Sequence, residues 1–168
     1  MATPLMSRQD SNQFNCGCAS RKQFLVNLGA NAFDIAVTLT ETGSALNGKT
    51  YPYGDGKKGD SANFGLFKNN WYAIRTACSQ FAGQGPDDWN NGDALNHDSA
   101  AAIKCQHEQR DHFGSSWFAV QRNGQSGVEN PATADIEHYH SCVSHMLAYI
   151  NQGHLEDDMA TYDTMTSI

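Results

Sequence analysis

Phe33-Asp34-Ile35-Ala36-Val37-Thr38-Leu39-Thr40-Glu41-Thr42-Gly43 is the stretch on which the fold turns. Its apolar positions Phe33, Ala36, Val37 and Leu39 recur at helical spacing, and Gly43 is a natural C-terminal stop. Glu41 therefore stands at the foot of an apolar helix. A Gly- and Asp-rich segment follows, Tyr51-Pro52-Tyr53-Gly54-Asp55-Gly56-Lys57-Lys58-Gly59-Asp60, and then Asn63-Phe64-Gly65-Leu66-Phe67-Lys68-Asn69-Asn70-Trp71. One carboxyl leaves an apolar helix and another sits on a polar turn. Two environments this different push two carboxyl pKa values apart, which is what acid and base catalysis at a glycosidic bond requires.

Outward from this stretch the pattern is mostly helical. A first helix is expected over 21–40 with a break near Gly29, and turn signals over 46–64 read as a small hairpin. Helical spacing returns at Phe67, Trp71, Ile74 and Cys78 and ends near Gly83. Residues 87–92 read as a loop, 93–109 as a third helix, 114–120 as a short one and 133–152 as the last. The order helix, acid, hairpin, second acid, helix is that of lysozyme-like folds. The expected class is α+β, mainly helical, with a small β-hairpin lobe and an active-site cleft. Residues 1–20, polar and rich in Ser, Asn and Gln, read as a flexible arm, and 21–168 as a single catalytic domain.

The bulk numbers narrow the partners. A chain of 168 residues is one domain by default and can bury a real core. Eleven Lys and Arg against eighteen Asp and Glu leave a net charge of -7. No basic stripe exists for phosphate, so neither nucleic acid nor an anionic membrane is an expected partner, whereas a neutral polysaccharide is not repelled. No apolar run is long enough to span a bilayer. The first residues lack an apolar leader core, so the chain reads as cytosolic or as a mature secreted form. The cysteines, Cys16, Cys18, Cys78, Cys105 and Cys142, favour secretion, with two disulfides and one remaining thiol in an open pairing. Seven histidines invite a metal, but His138, His140 and His145 lie two and five apart, and His107 and His112 flank no HExxH pattern. No metal and no cofactor is expected.

The Tyr-Gly-Asp turn, Lys57, Gly59-Asp60-Ser61-Ala62-Asn63-Phe64-Gly65 and Phe67-Lys68 to Trp71 resemble glycoside hydrolase family 134. So do Trp117-Phe118-Ala119 with Arg122-Asn123-Gly124, and Asn130-Pro131 before Asp135-Ile136. The resemblance runs from about residue 23 to 150. It implies a secreted, inverting endo-β-1,4-mannanase of lysozyme-like fold, acting on mannan and manno-oligosaccharides, expected to be monomeric. It carries the general acid to Glu41 and the general base to Asp55, with Asp60 in the same motif as the alternative.

The chemistry of the residues agrees. Burial beside Trp117 or Phe118 would keep Glu41 protonated, and a wet turn would keep Asp55 ionised. Expected sugar contacts are the flat faces of Tyr53, Phe64, Trp89 and Trp117, with polar contacts from Lys57, Asp60, Asn63, Lys68 and Gln121. Trp71, in helical register with Phe67 and Ile74, reads as core. A solvated Glu41 and turn-forming aspartates are the plain alternatives for isolated residues. Two other functions share the sequence evidence: a lysozyme- or chitosanase-like hydrolase of amino-sugar polymers, and a non-catalytic carbohydrate-binding protein. The latter has no need of two carboxyls.

Overall fold

A computed structural model describes residues 13–15, 19–43, 46, 48–155 and 161–163. The chain order is β1 (Gln13–Asn15), α1 (Ala19–Asn27), α2 (Ala32–Thr42), β2 (Asn63–Phe64), β3 (Asn69–Asn70), α3 (Trp71–Ala77), α4 (Ala94–His97), α5 (Ser99–Phe113), α6 (Trp117–Asn123), α7 (Gln125–Glu129), α8 (Ala134–Tyr149) and β4 (Thr161–Asp163). It is the expected mainly helical α+β, lysozyme-like architecture. The arm expected over 1–20 lies largely outside the described residues. Its segment β1 pairs antiparallel with β4, with Phe14 opposite Tyr162.

The organising element is α2, buried from Asp34 through Thr40. A helix hydrophobic all round belongs in a core, yet three buried residues of α2 are threonines. Each hydroxyl is satisfied inside the helix: Thr38, Thr40 and Thr42 donate Oγ1 to the carbonyls of Asp34, Ala36 and Thr38 at 2.8–2.9 Å. The threonines therefore present only methyls to their neighbours. The N-terminus of α2 is fixed by a capping box. Asp34 N donates to Asn31 Oδ1 at 3.0 Å, and Asn31 N donates to Asp34 Oδ2 at 2.9 Å. Its C-terminus ends where Gly43 turns to φ 61° and returns its N–H to Leu39 O. The expected break in the first helix falls at residues 28–31, between α1 and α2.

Around Ile35 and Leu39 of α2 close Leu25, Phe64, Phe67, Trp71, Ile74, Tyr139, Val143 and Met146, all at most 1 % exposed. Trp71 is core, as its spacing predicts. Lys22 is also fully buried and donates Nζ to the His154 carbonyl at 2.7 Å, tying α1 to the turn after α8. A disulfide joins Cys78 at the end of α3 to Cys105 in α5. Cys142 is buried with Sγ 3.6 Å from His138 Nε2, while Cys16 and Cys18 lie outside the described residues.

Four boundaries differ from expectation, each for a local reason. The hairpin is β2 and β3, later and shorter than 46–64; part of that span instead makes 3-10 turns at Tyr53–Gly56 and Gly59–Ser61. The following helix starts at Trp71 because Asn70 caps it, accepting from Ala73 N at 3.0 Å. The loop expected at 87–92 is a 3-10 helix, Pro86–Asp93, with Pro at its start. The helix expected over 93–109 divides at Asp98, whose side chain caps α5 by accepting from Ala101 N at 2.9 Å.

Candidate active site

Glu41 occupies the last turn of the buried helix and is the first residue of α2 after Phe33 to open partly toward solvent. Burial raises its carboxyl pKa above the ordinary range. The Tyr139 hydroxyl, Lys68, Gln121 and Arg122 pull the other way and do not cancel it. The position adds to the effect, since a carboxylate at a helix C-terminus faces the negative end of the helix dipole. Gln121, 5 % exposed on α6, holds the carboxyl in place. Its Nε2 donates to Phe67 O at 2.7 Å and reaches Glu41 Oε1 at 3.3 Å.

Asp55 is built differently. It lies in a run of three left-handed residues, Gly54 (φ 62°), Asp55 (φ 57°) and Gly56 (φ 71°). Aspartate is among the few non-glycine residues that tolerate this region. At Gly54 a side chain would be strained, and its Cβ would sit 3.3 Å from the Trp89 ring. The tight turn aims Asp55 inward. Its Oδ2 accepts from Asn63 Nδ2 at 2.9 Å and from Lys68 Nζ at 3.0 Å, with Lys57 Nζ at 3.9 Å. Donors therefore crowd one carboxylate oxygen.

Lys68 links the two acids. It closes the four-residue turn between β2 and β3 at φ 48°, pairs with Asp55, lies 5.2 Å from the centre of the Tyr51 ring and acts electrostatically on Glu41. Tyr51 lies between the same two charges. Its phenol is pushed far up by burial, then by Asp55 and Glu41, and it donates to Gly65 O at 2.7 Å. Glu41 and Asp55 thus face one small set of residues.

The alternative base is committed elsewhere. Asp60 receives both arms of the Arg75 guanidinium, Nε to Oδ1 at 2.6 Å and Nη2 to Oδ2 at 2.8 Å. Such a bidentate pair is a fastening between the 3-10 turn and α3.

The other expected contacts of this part of the site separate into three groups. Tyr53, half exposed, and Trp89 form an edge-to-face pair with centroids 5.8 Å apart, and Tyr53 donates its hydroxyl to Asn90 Oδ1 at 3.0 Å. This is an aromatic surface open to a ligand. Phe64 and Trp117, expected as sugar faces, are 0 % and 3 % exposed. Phe64 stands beneath Tyr53 and Trp89, pressed by the backbone of Gly92. Trp117 packs on Phe33, Phe118 and Tyr139. The apolar wall expected from Trp117 or Phe118 therefore reaches Glu41 through Tyr139. Asn63, Lys68 and Gln121, expected to bond sugar, hold the two carboxyls instead.

A cavity of about 300 Å³ continues from Asn63 and Lys57. The lobe supplies Lys57, Asp60, Ser61 and Asn63; the opposite wall is Asn70, Arg122, Asn123, Gly124, Gln125 and Ser126. Neutral amides and hydroxyls dominate it, a lining suited to hydroxyl-rich ligands. A larger cavity of about 740 Å³ lies at the other end of α2, around Phe33, Arg110 and Phe118, and neither acid lines it.

A carboxyl whose pKa burial raises and a carboxylate held by cation and amide, with a polar cavity nearby, are the kind of pair that glycosidic cleavage requires. No curated protein is similar enough to the chain to count as a relative. The profile of glycosyl hydrolase family 134 matches residues 19–164, most of the chain, and with it the chain belongs to that family and is a glycoside hydrolase.

Proposed function

We propose that the protein is a secreted, inverting endo-β-1,4-mannanase with Glu41 as general acid and Asp55 as general base. The observation that carries this is the opposite treatment of two carboxyls around one lysine. Burial holds Glu41 toward its neutral form, while Lys68 and Asn63 sit on Asp55 Oδ2. Glu41 gives its proton to the glycosidic oxygen as the C–O bond breaks. Asp55 takes a proton from a water that attacks the anomeric carbon on the opposite face. With Oδ2 held by its donors, Oδ1 is the oxygen presented to that water. Inversion needs a gap of about 6.5–9.5 Å between the carboxyls.

The polar cavity beside Asn63 and the aromatic pair Tyr53 and Trp89 support internal cleavage of an extended chain. Tyr53 and Trp89 offer faces to sugar C–H groups on one side of Asp55, and Asn123 and Gln125 offer hydrogen bonds on the other. Family membership supports mannan as the substrate. Secretion is in keeping with the Cys78–Cys105 disulfide. Among the described residues no helix is long and apolar enough to cross a membrane.

A reducing-sugar assay on mannan, chitosan and cell-wall polymer tests the substrate; release from mannan alone is expected, and release from chitosan alone overturns it. Proton NMR of fresh product tests the stereochemistry. The α-anomer should appear first, and a β-anomer as first product ends the inverting assignment.

A further inference from the structure

Tyr139 reads in the sequence as one member of the apolar stripe of α8. The structure sets it at 1 % exposure, its ring packed 6.5 Å from Trp117 and 6.1 Å from Phe118, with the hydroxyl turned to Glu41 and Gln121. That hydroxyl makes no well-formed hydrogen bond to any described residue. A buried hydroxyl left this way is destabilising, and phenylalanine would fill the same space without that cost. Gln121 Oε1 is likewise buried without a partner, while its Nε2 is already engaged. The acid is thus bordered by an O–H donor that reaches Glu41 and Gln121 only loosely. Catalytic hydrogen bonds are often loose before substrate binds and tighten as charge develops.

We infer that Tyr139 is a positioning residue for the acid, its O–H turning onto the Glu41 carboxylate as Glu41 gives up its proton. The inference rests on Glu41 being the general acid. The proton lost by Glu41 goes to the leaving glycosidic oxygen; Tyr139 keeps its own and supplies only a hydrogen bond, which favours the ionised form of its neighbour. A donor waiting for the negative charge is preorganised stabilisation of the transition state. The other groups facing Glu41 are Lys68 from the β2–β3 turn, Arg122 and Gln121 from α6, and the Tyr51 phenol. All of these remain when Tyr139 is changed.

Tyr139→Phe removes the hydroxyl and keeps the ring. Loss of the donor raises the Glu41 pKa, so the alkaline limb of the kcat/KM profile moves to higher pH, and plateau kcat falls about tenfold while KM holds. A 13C titration of Glu-labelled protein reads the carboxyl directly, with its resonance assigned by its disappearance in Glu41→Gln. An upward displacement in Tyr139→Phe is expected. An unmoved titration and an unmoved limb, in a variant that melts at or above the wild-type temperature, overturn the inference. A displaced titration in a protein that cleaves no polysaccharide would retain the Tyr139–Glu41 contact and overturn the glycosidase reading instead.

Discussion

Asp55 and Lys68 are both non-glycine residues with left-handed backbone, at φ 57° and 48°, and their side chains meet at 3.0 Å. Each such residue costs on the order of 1 kcal/mol or more. Two strained positions that converge on one ion pair mark where local stability is given up for geometry. Lys68→Met removes the charge and keeps the strain, and Lys68→Gly removes both. Each should lower kcat/KM by roughly ten- to hundredfold, because the base loses its orienting cation. Lys68→Gly should melt at or above the temperature of Lys68→Met, as the turn relaxes. The exposed fraction of both side chains, 20 %, keeps the ion pair itself a minor stability contribution. Melting curves beside initial rates check both parts; Lys68→Met with wild-type rates would remove Lys68 from the mechanism.

Glu41 predicts a stability curve as well as an activity. Its folded pKa is raised above the unfolded value. The folded state therefore holds the proton more tightly, and stability falls as pH rises through the window between the two values. Above the folded pKa the ionised, buried carboxylate carries its full cost. Glu41→Gln should accordingly melt higher than wild type at pH 7, with the difference shrinking below about pH 4, where Glu41 is protonated in both states. Turnover should fall by about 10²-fold or more, with oligosaccharide binding retained. Equal melting temperatures across that range would show that the carboxyl is better solvated than its packing indicates.

The two aspartates give opposite outcomes. Asp55→Asn keeps the turn and the Asn63 contact but abolishes proton acceptance, so turnover should drop by about 10²–10⁴-fold. Asp60→Asn leaves Arg75 without its bidentate partner. Both side chains are partly exposed, at 28 % and 21 %, so the loss is about 1 kcal/mol and about 2–4 °C in Tm. Turnover should survive, with some rise in KM because Asp60 lines the groove. Near-normal rates in Asp55→Asn together with a dead Asp60→Asn would transfer the role of base to Asp60.

The part of this site that the sequence discloses is the part built from near neighbours. Glu41 follows from the apolar period of α2 and the Gly43 stop, and Asp55 from a Gly-Asp-Gly turn. What holds them is set by distant pairs. Gln121 meets Glu41 across 80 positions, and Asn63 meets Asp55 only after the lobe has folded. Polar residues beside a cleft invite a sugar-binding role, and only packing reveals that three of them serve the carboxyls. Tyr139 is hidden for a different reason: helical periodicity counts its ring as apolar and is blind to its hydroxyl. Phe64 and Trp117 mislead in the same way, since an aromatic ring serves a core and a sugar platform equally well.

The Cys78–Cys105 bridge supplies the last prediction, and it concerns the frame of the site. It closes a loop 27 residues long that contains the 3-10 helix bearing Trp89, and it joins the helix after Lys68 to α5. In the chain-entropy account, a closed loop of this size lowers the unfolded state's freedom by about 3.5 kcal/mol. For a domain of this length that corresponds to roughly 10 °C in Tm. Reduction, or Cys78→Ser with Cys105→Ser, should lower the melting temperature by about that much while leaving the pH profile of kcat in place, because neither sulfur touches Glu41 or Asp55. Gln109, whose Nε2 lies 3.3 Å from Cys105 Sγ, would lose a contact in the serine variant but not on simple reduction. Equal losses in the two perturbations would show that the cross-link itself, and not this contact, carries the stability. A displaced pH profile on reduction would mean that the bridge also sets the distance between the lobe and α2.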